Sequence, residues 1–141
     1  MGRGDQHDAL VAQAKQLGLT NLHFVPEVTN PEKRSLMRAA YGFVFPSHMA
    51  SEAFGIVLAE AAQQGTPMIT CEIGTGTSYV NKDGVTGLVV PPSDAQSFGH
   101  ALDTFWQQPE QVRVWRQQTL ARYQGTFKAE TMAQKLSLIH I

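Results

Sequence analysis

Glu52 and Glu60 stand eight residues apart, and between them the chain passes from a polar loop into a helix that opens on glycine. The stretch reads Phe45-Pro46-Ser47-His48-Met49-Ala50-Ser51-Glu52-Ala53-Phe54-Gly55-Ile56-Val57-Leu58-Ala59-Glu60. A buried strand is expected to end at Pro46-Ser47 and a helix to begin at Phe54-Gly55. Glycine at a helix N-terminus lets a ligand approach the backbone, and the free N–H groups of Gly55, Ile56 and Val57 then face it with the positive end of the helix dipole. That arrangement suits phosphate. Glu60, further along the same helix, repels phosphate but accepts hydrogen bonds from a diol such as ribose. Glu52, ahead of the helix, reaches a hydroxyl-bearing group beyond the phosphates. Carboxylate, phosphate cradle and carboxylate together make the layout that a nucleotide diphosphate sugar requires.

Two glutamates at this spacing also recur by chance, and a glutamate at a helix start is ordinary dipole compensation. The flanks weigh against coincidence. Glu60 lies among Ile56, Val57, Leu58, Ala59, Ala61 and Ala62, where a carboxylate is expected to be partly buried, and burial without a partner is costly. Gly74-Thr75-Gly76-Thr77-Ser78 follows an expected strand and is a second candidate for contact with sugar or phosphate, although such loops are also plain turns. His48 is a lesser candidate in the loop before Glu52. His7, His23, His100 and His140 show no metal-ligand spacing. Gly2-Arg3-Gly4 is not a dinucleotide fingerprint, because His7 stands where the third glycine belongs. Arg3-Gly4-Asp5 is an adhesion tripeptide in form only.

The elements that must position these residues alternate between helix and strand. Apolar residues from Asp5 to Leu17 follow a helical period stopped by Gly18, and Asn21–Val25 reads as a short strand ended by Pro26. Asn30 is placed to cap a helix with Pro31 at its first position, running through Ala40. Tyr41–Phe45 reads as a strand, Gly55–Gln64 as a helix stopped by Gly65, and Pro67–Cys71 as the next strand. Gly74–Thr77 is expected to be a loop, Asn81–Gly84 a turn, and Gly87–Val90 a strand cut off by Pro91-Pro92. Ser93 or Asp94 caps a helix through Leu102 and Phe105, Pro109 starts another reaching Tyr123, and a last amphipathic stretch begins near Phe127. Short apolar strands separated by helices predict a doubly wound parallel sheet covered on both faces. Ligands of such sheets bind beyond the carboxyl ends of the strands, here after Val25, Phe45, Cys71 and Val90. Phe98, Phe105, Trp106, Trp115 and Tyr123 read mainly as core, with part of the cluster left for an exposed face.

Composition sets the outer bounds. The chain has 141 residues, 43% hydrophobic and 16% charged, with a net charge of −1. No basic footprint is present for sequence-independent binding to nucleic acid. The single cysteine, Cys71, excludes a disulfide framework and a Cys-rich zinc site, and reads as a small core residue. No apolar run approaches the roughly 20 residues of a membrane span, and no signal segment opens the chain. A cytoplasmic domain is the expectation.

Ser51-Glu52-Ala53-Phe54-Gly55-Ile56-Val57 through Glu60 resembles the E-x7-E signature of retaining glycosyltransferases of family 4, enzymes with the GT-B fold of two facing Rossmann-like domains. The resemblance extends to Gly2-Arg3-Gly4 as the glycine turn, Asn21–Val28 as the strand and base-side loop, and Tyr41–Ser47 as the strand ending in Pro-Ser. It includes Gly65-Thr66-Pro67 after the signature helix and Asp83-Gly84-Val85-Thr86-Gly87-Leu88-Val89 at the start of the following strand. The Gly-Thr-Gly-Thr-Ser-Tyr-Val loop looks like that of bacterial mannosyl- or rhamnosyltransferases of O-antigen and polysaccharide assembly.

The resemblance implies that this chain is the C-terminal, donor-binding half of such an enzyme. Glu52 is then the catalytic residue that contacts the donor sugar and helps organise the transition state. Ser51, Phe54, Gly55, Ile56 and Val57 hold the diphosphate or sugar, Glu60 binds the ribose hydroxyls, Glu27 and Val28 hold the base, and Thr75 and Gly76 touch the donor. No metal or other cofactor is implied; a nucleotide-diphosphate sugar is the donor, and a sugar or lipid-linked glycan is the acceptor. The family's diphosphate-neutralising Arg and Lys fall upstream of Gly2, as does its acceptor domain, so the chain by itself is expected to bind nucleotide weakly and transfer nothing. Peripheral association with the inner membrane accompanies lipid-linked acceptors, and the family carries that surface on the other domain. Residues 1–135 are expected to form the donor-binding domain, with a sheet-starting strand upstream of Met1. Residues 136–141 read like translated sequencing adaptor and are expected to be a non-native tail. Two other readings remain open. A noncatalytic nucleotide-sugar binding module shares the scaffold and differs in lacking turnover; a GT-B sugar-nucleotide epimerase requires histidine and acidic residues placed for ring-carbon chemistry, which the motifs do not show.

Overall fold

The strands pair as a parallel sheet, as short apolar runs separated by helices require. The computed structural model describes residues 4–47, 56–74 and 76–127. The chain divides into two compact units, Met1–Ser35 and Leu36–Ile141.

In the first unit, α1 (His7–Gln16) ends where Gly18, at φ +64°, allows the chain to turn back, with Gly18 N donating to Lys15 O and Leu19 N to Ala14 O. This pair of bonds is the Schellman closure that a glycine just past a helix makes possible. The His7 and Phe24 rings meet in a T-shaped contact with 5.5 Å between centroids. Asn21–Val25 is not a strand; it runs on without ladder bonds, and Leu22, Phe24 and Val25 are exposed. Alternating apolar residues make a strand only where a neighbouring strand supplies the other half of the hydrogen bonds, and among the described residues no strand pairs with this segment. The cap of α2 (Asn30–Ala39) also differs from expectation. Thr29, not Asn30, is the capping residue: Thr29 N and Oγ1 both donate to Glu32 Oε2 at 2.8 Å, and Glu32 N donates back to Thr29 Oγ1. A Thr-x-x-Glu capping box satisfies two orphan donors at once, which a lone asparagine does not.

The second unit holds β1 (Phe43–Phe45), α3 (Ile56–Gln63), β2 (Met68–Cys71), α4 (Thr77–Val80), β3 (Gly87–Val90), α5 (Ala95–Gln107) and α6 (Pro109–Arg122), followed by a π-helical turn at Tyr123–Phe127. The sheet order is β1-β2-β3, all parallel, with Phe45 opposite Thr70 and Cys71 opposite Val90. β2 is buried along its length and sends alternate side chains to opposite faces. Met68 joins Met37, Leu58, Ala61, Ala62 and Val80 on one face, while Ile69 and Cys71 join Val90, Ala101, Phe105, Val112 and Trp115 on the other. The aromatic cluster divides accordingly: Phe105 and Trp115 are core with centroids 5.2 Å apart, whereas Trp106 is 82% exposed. The short helix α4 occupies part of the segment expected to be loop.

Polar bonds fix the helices and turns to the sheet. Buried Asn81 donates through Nδ2 to Thr70 Oγ1 and Leu88 O at 3.0 Å and to Met68 O at 3.3 Å, and its Oδ1 accepts from Thr86 Oγ1. Trp115 Nε1 donates to Gly84 O and Thr119 Oγ1 to Thr86 O, holding α6 against the turn before β3. Tyr41 Oη donates to Phe105 O, tying α5 to the lead-in of β1. Gly87, at φ +154°, passes so close to β2 that an added Cβ falls 1.8 Å from Met68 O. No helix among the described residues is long and apolar enough to cross a membrane.

Candidate functional site

Because the three strands are parallel and in register, the residues that follow them emerge along one edge of the sheet. These are Pro46-Ser47 after β1, Glu72 after β2 and Pro91-Pro92 after β3. α3 connects the end of β1 to the start of β2 and so runs back against the strands, with its first turn at that edge. This is the edge at which open parallel sheets bind ligands.

Within α3 the apolar stripe is Leu58, Ala61 and Ala62, fully or nearly fully buried. At about 100° per residue, Ile56 and Glu60 share the opposite side of the helix. Ile56 is 70% exposed, and Val57 and Glu60 are half-buried. The first turn of α3 carries no carboxylate. Other helices treat their N-termini differently: Asp94 accepts from Ser97 N at 3.0 Å at the start of α5, and Glu32 occupies the first turn of α2. Ile56 and Val57 are the first described residues of α3, and backbone N–H groups in a helix's first turn are the donors an anion meets. α3 closes at the other end with Gly65 at φ +71°, Gly65 N donating to Ala62 O and Thr66 N to Ala61 O.

The other expected site residues fall in different places. Ser51, Glu52, Phe54, Gly55 and Thr75, with His48, lie outside the described residues. Glu27 and Val28 belong to the first unit, in the segment ahead of α2, with Glu27 exposed and Val28 half-buried. Gly76 is the residue before α4 and is half-buried. Thus Ile56, Val57 and Glu60 share one helix, and Gly76 opens the helix that follows β2.

Sequence reasoning missed Glu72. It is the first residue past β2, its N–H donates to Val90 O at 2.8 Å, and its Oε1 accepts from Gly74 N and Ser78 Oγ at 3.1 Å. Its position directly after an apolar strand and before a glycine loop was the signal. Two open clefts flank this edge. One, of about 550 Å³, lies between Pro46, Cys71, Asp94, Phe98 and Leu102; the other, of about 730 Å³, between Glu72, Ser78, Asp83, Val90 and Pro92. Burial pushes the Cys71 thiol above its usual pKa, in keeping with a core thiol. The backbone and hydroxyl of Ser97 hold the Asp94 carboxyl below the usual carboxylate range. Among the described residues no group of three or more His, Cys, Asp or Glu is placed to hold a metal ion.

Comparison with known proteins gives a consistent result. Residues 1–122 match the family described as glycosyl transferases group 1. The D-rhamnosyltransferase WbpZ of Pseudomonas aeruginosa is 48% identical over 129 residues, 92% of this chain and 34% of that protein. The O-antigen chain mannosyltransferase C of Escherichia coli is 39% identical over 132 residues, 94% of this chain and 36% of that protein. The chain therefore spans about a third of the length of these curated relatives. Among solved structures, sucrose-phosphate synthase from Thermosynechococcus elongatus superposes with a TM-score of 0.84 at 26% identity, covering 97% of this chain and 34% of that one. Anabaena Alr3699/HepE, solved with UDP-glucose, superposes with a TM-score of 0.82 at 23% identity, over 98% of this chain and 38% of that one. The fold is accordingly the Rossmann-like α/β half of a GT-B protein.

Proposed function

This chain belongs to the glycosyl transferases group 1 family, and on that premise we propose that it is the donor-binding half of a retaining hexosyltransferase. Its donor is a nucleotide-diphosphate sugar, and the polypeptide that contains it transfers the sugar to a saccharide or lipid-linked glycan acceptor in surface-polysaccharide assembly. The observation that carries this reading is α3: its first described turn, which holds no carboxylate, lies at the carboxyl edge of a parallel sheet, with Glu60 one turn along on the side opposite the core stripe. The names of the two bacterial relatives, a rhamnosyl- and a mannosyltransferase, support the hexosyl class. Nucleotide sugar on the same fold in the Anabaena neighbour supports the donor class.

In this reading the N–H groups of Gly55, Ile56 and Val57 receive the diphosphate. When the glycosidic bond to the donor breaks, negative charge accumulates on the departing nucleoside diphosphate, and a fixed helix N-terminus stabilises that charge without reorganising. Glu60 accepts hydrogen bonds from both ribose hydroxyls, and Glu27 and Val28 hold the base through the main chain. Glu52 is assigned to the anomeric carbon, where a carboxylate stabilises positive charge developing on the sugar ring; Ser51, Phe54, Thr75 and Gly76 are assigned to the sugar side. The reading assigns no role to a metal. The enzyme works in the cytoplasm, at the inner membrane where its acceptor is lipid-linked.

Calorimetric titration of the chain with UDP, GDP, ADP and dTDP, beside Glu60→Ala, tests this. Saturable binding of one nucleotide, weakened about tenfold by the substitution as loss of hydrogen bonds to a charged group requires, supports the reading and identifies the base. A folded chain that binds none of the four overturns it.

A further inference from the structure

Glu72 joins three pieces of backbone at the edge where α3 begins. Its own N–H is held in the ladder by Val90 O at 2.8 Å, so its Cα is fixed by the sheet. Its side chain reaches forward, and a single oxygen, Oε1, accepts from Gly74 N and from Ser78 Oγ, each at 3.1 Å. Gly74 sits at φ +68°, and Gly76 is the residue from which α4 starts, its carbonyl accepting from Tyr79 N and Val80 N. One carboxylate thus ties the end of β2 to both the left-handed glycine and the first turn of the following helix.

The residue is exposed. An exposed side chain held in one conformation gives up rotamer freedom, and its hydrogen bonds replace bonds to water, so the net return in stability is small. What the two bonds do supply is shape. A glycine-rich connection otherwise samples many conformations, and ordering it when a ligand arrives weakens binding.

Resting on the donor-binding reading above, we propose that Glu72 is a positioning residue that holds Gly74 and the first turn of α4 in place so that Gly76 meets the sugar-diphosphate part of the donor. The shape depends on an acceptor oxygen at this position rather than on charge, so Glu72→Gln retains it and Glu72→Ala does not.

The test is calorimetric titration of the 141-residue chain and both variants with UMP, UDP and UDP-glucose, and in parallel with GMP, GDP and GDP-mannose, together with amide exchange of the unliganded proteins. In the series that binds, Glu72→Ala is expected to weaken the nucleotide sugar about five- to tenfold, the worth of one or two hydrogen bonds, and to leave the monophosphate within about twofold. Glu72→Gln is expected to match the wild type. The amides of Gly74 and Ser78 exchange faster in Glu72→Ala before any ligand is added. Unchanged nucleotide-sugar binding by Glu72→Ala, equal weakening of monophosphate and nucleotide sugar, or a Gln variant as weak as Ala each overturns the positioning role and leaves donor binding standing. Where the four-nucleotide titration selects adenine or thymine instead, the mono-, di- and sugar-nucleotide series of that base is used, and a wild-type chain that binds none of UDP, GDP, ADP and dTDP overturns the donor-binding reading, and this role with it.

Discussion

At the scale of single residues, the proposed site rests on backbone donors as much as on side chains, and the two can be separated. Ile56 is the first residue of α3 and 70% exposed, so its side chain contributes little to the core. Proline is accepted at a first helical position and removes only the N–H. Ile56→Pro is therefore expected to leave the thermal unfolding midpoint near that of the wild type and to weaken nucleoside diphosphate binding about tenfold, measured by titration, because a hydrogen bond to a charged oxygen is lost. Asn81 is the opposite case. It is fully buried and serves β2, β3 and Thr86 together. Asn81→Ala strands buried polar groups without partners, and urea unfolding should report a loss of about 2–4 kcal/mol.

At the scale of elements, the stops and caps were largely legible. The glycines after α1 and α3 end those helices with the same pair of bonds, since both need a left-handed residue at that place. The choice between Ser93 and Asp94 as the cap of α5 is resolved for Asp94, whose Oδ1 accepts from Ser97 N and whose Oδ2 accepts from Ser97 Oγ at 2.7 Å. Because these bonds favour the charged form, the folded-state pKa of Asp94 lies below the usual aspartate value. Its contribution is present above that value and is lost as pH falls through the folded pKa. Asparagine caps a helix equally well and does not titrate. Asp94→Asn should thus change stability little at neutral pH and flatten its decline below about pH 4, followed by thermal unfolding across the acid range. Gly87 is an element-level constraint of another kind: no side chain fits beside Met68 O. Gly87→Ala must move β3 away from β2, and a loss of cooperative unfolding is the expected outcome.

At the scale of the whole molecule, the proposed reading gives this chain a donor site at one edge of a parallel sheet and leaves the acceptor to the rest of a longer polypeptide. The 141-residue chain is expected to bind nucleotide sugar and release no sugar to a saccharide acceptor, while a polypeptide of the length of the curated relatives turns over both. A radiolabelled-donor transfer assay on the two distinguishes these outcomes, and transfer by the short chain alone would remove the need for a second domain. The sequence by itself determined the parallel α/β class, the helix stops, and Ile56, Val57 and Glu60 as one helical group. Each of these follows from local rules: a period of apolar residues and a glycine past a helix. Only the tertiary structure decided that Asn21–Val25 is no strand, that Thr29 and not Asn30 caps α2, that Trp106 faces out while Trp115 is core, and that Glu72 closes on Gly74 and Ser78. Those outcomes turn on which partner is within reach across space, and spacing along a chain does not encode the distance to a partner that folding brings from elsewhere.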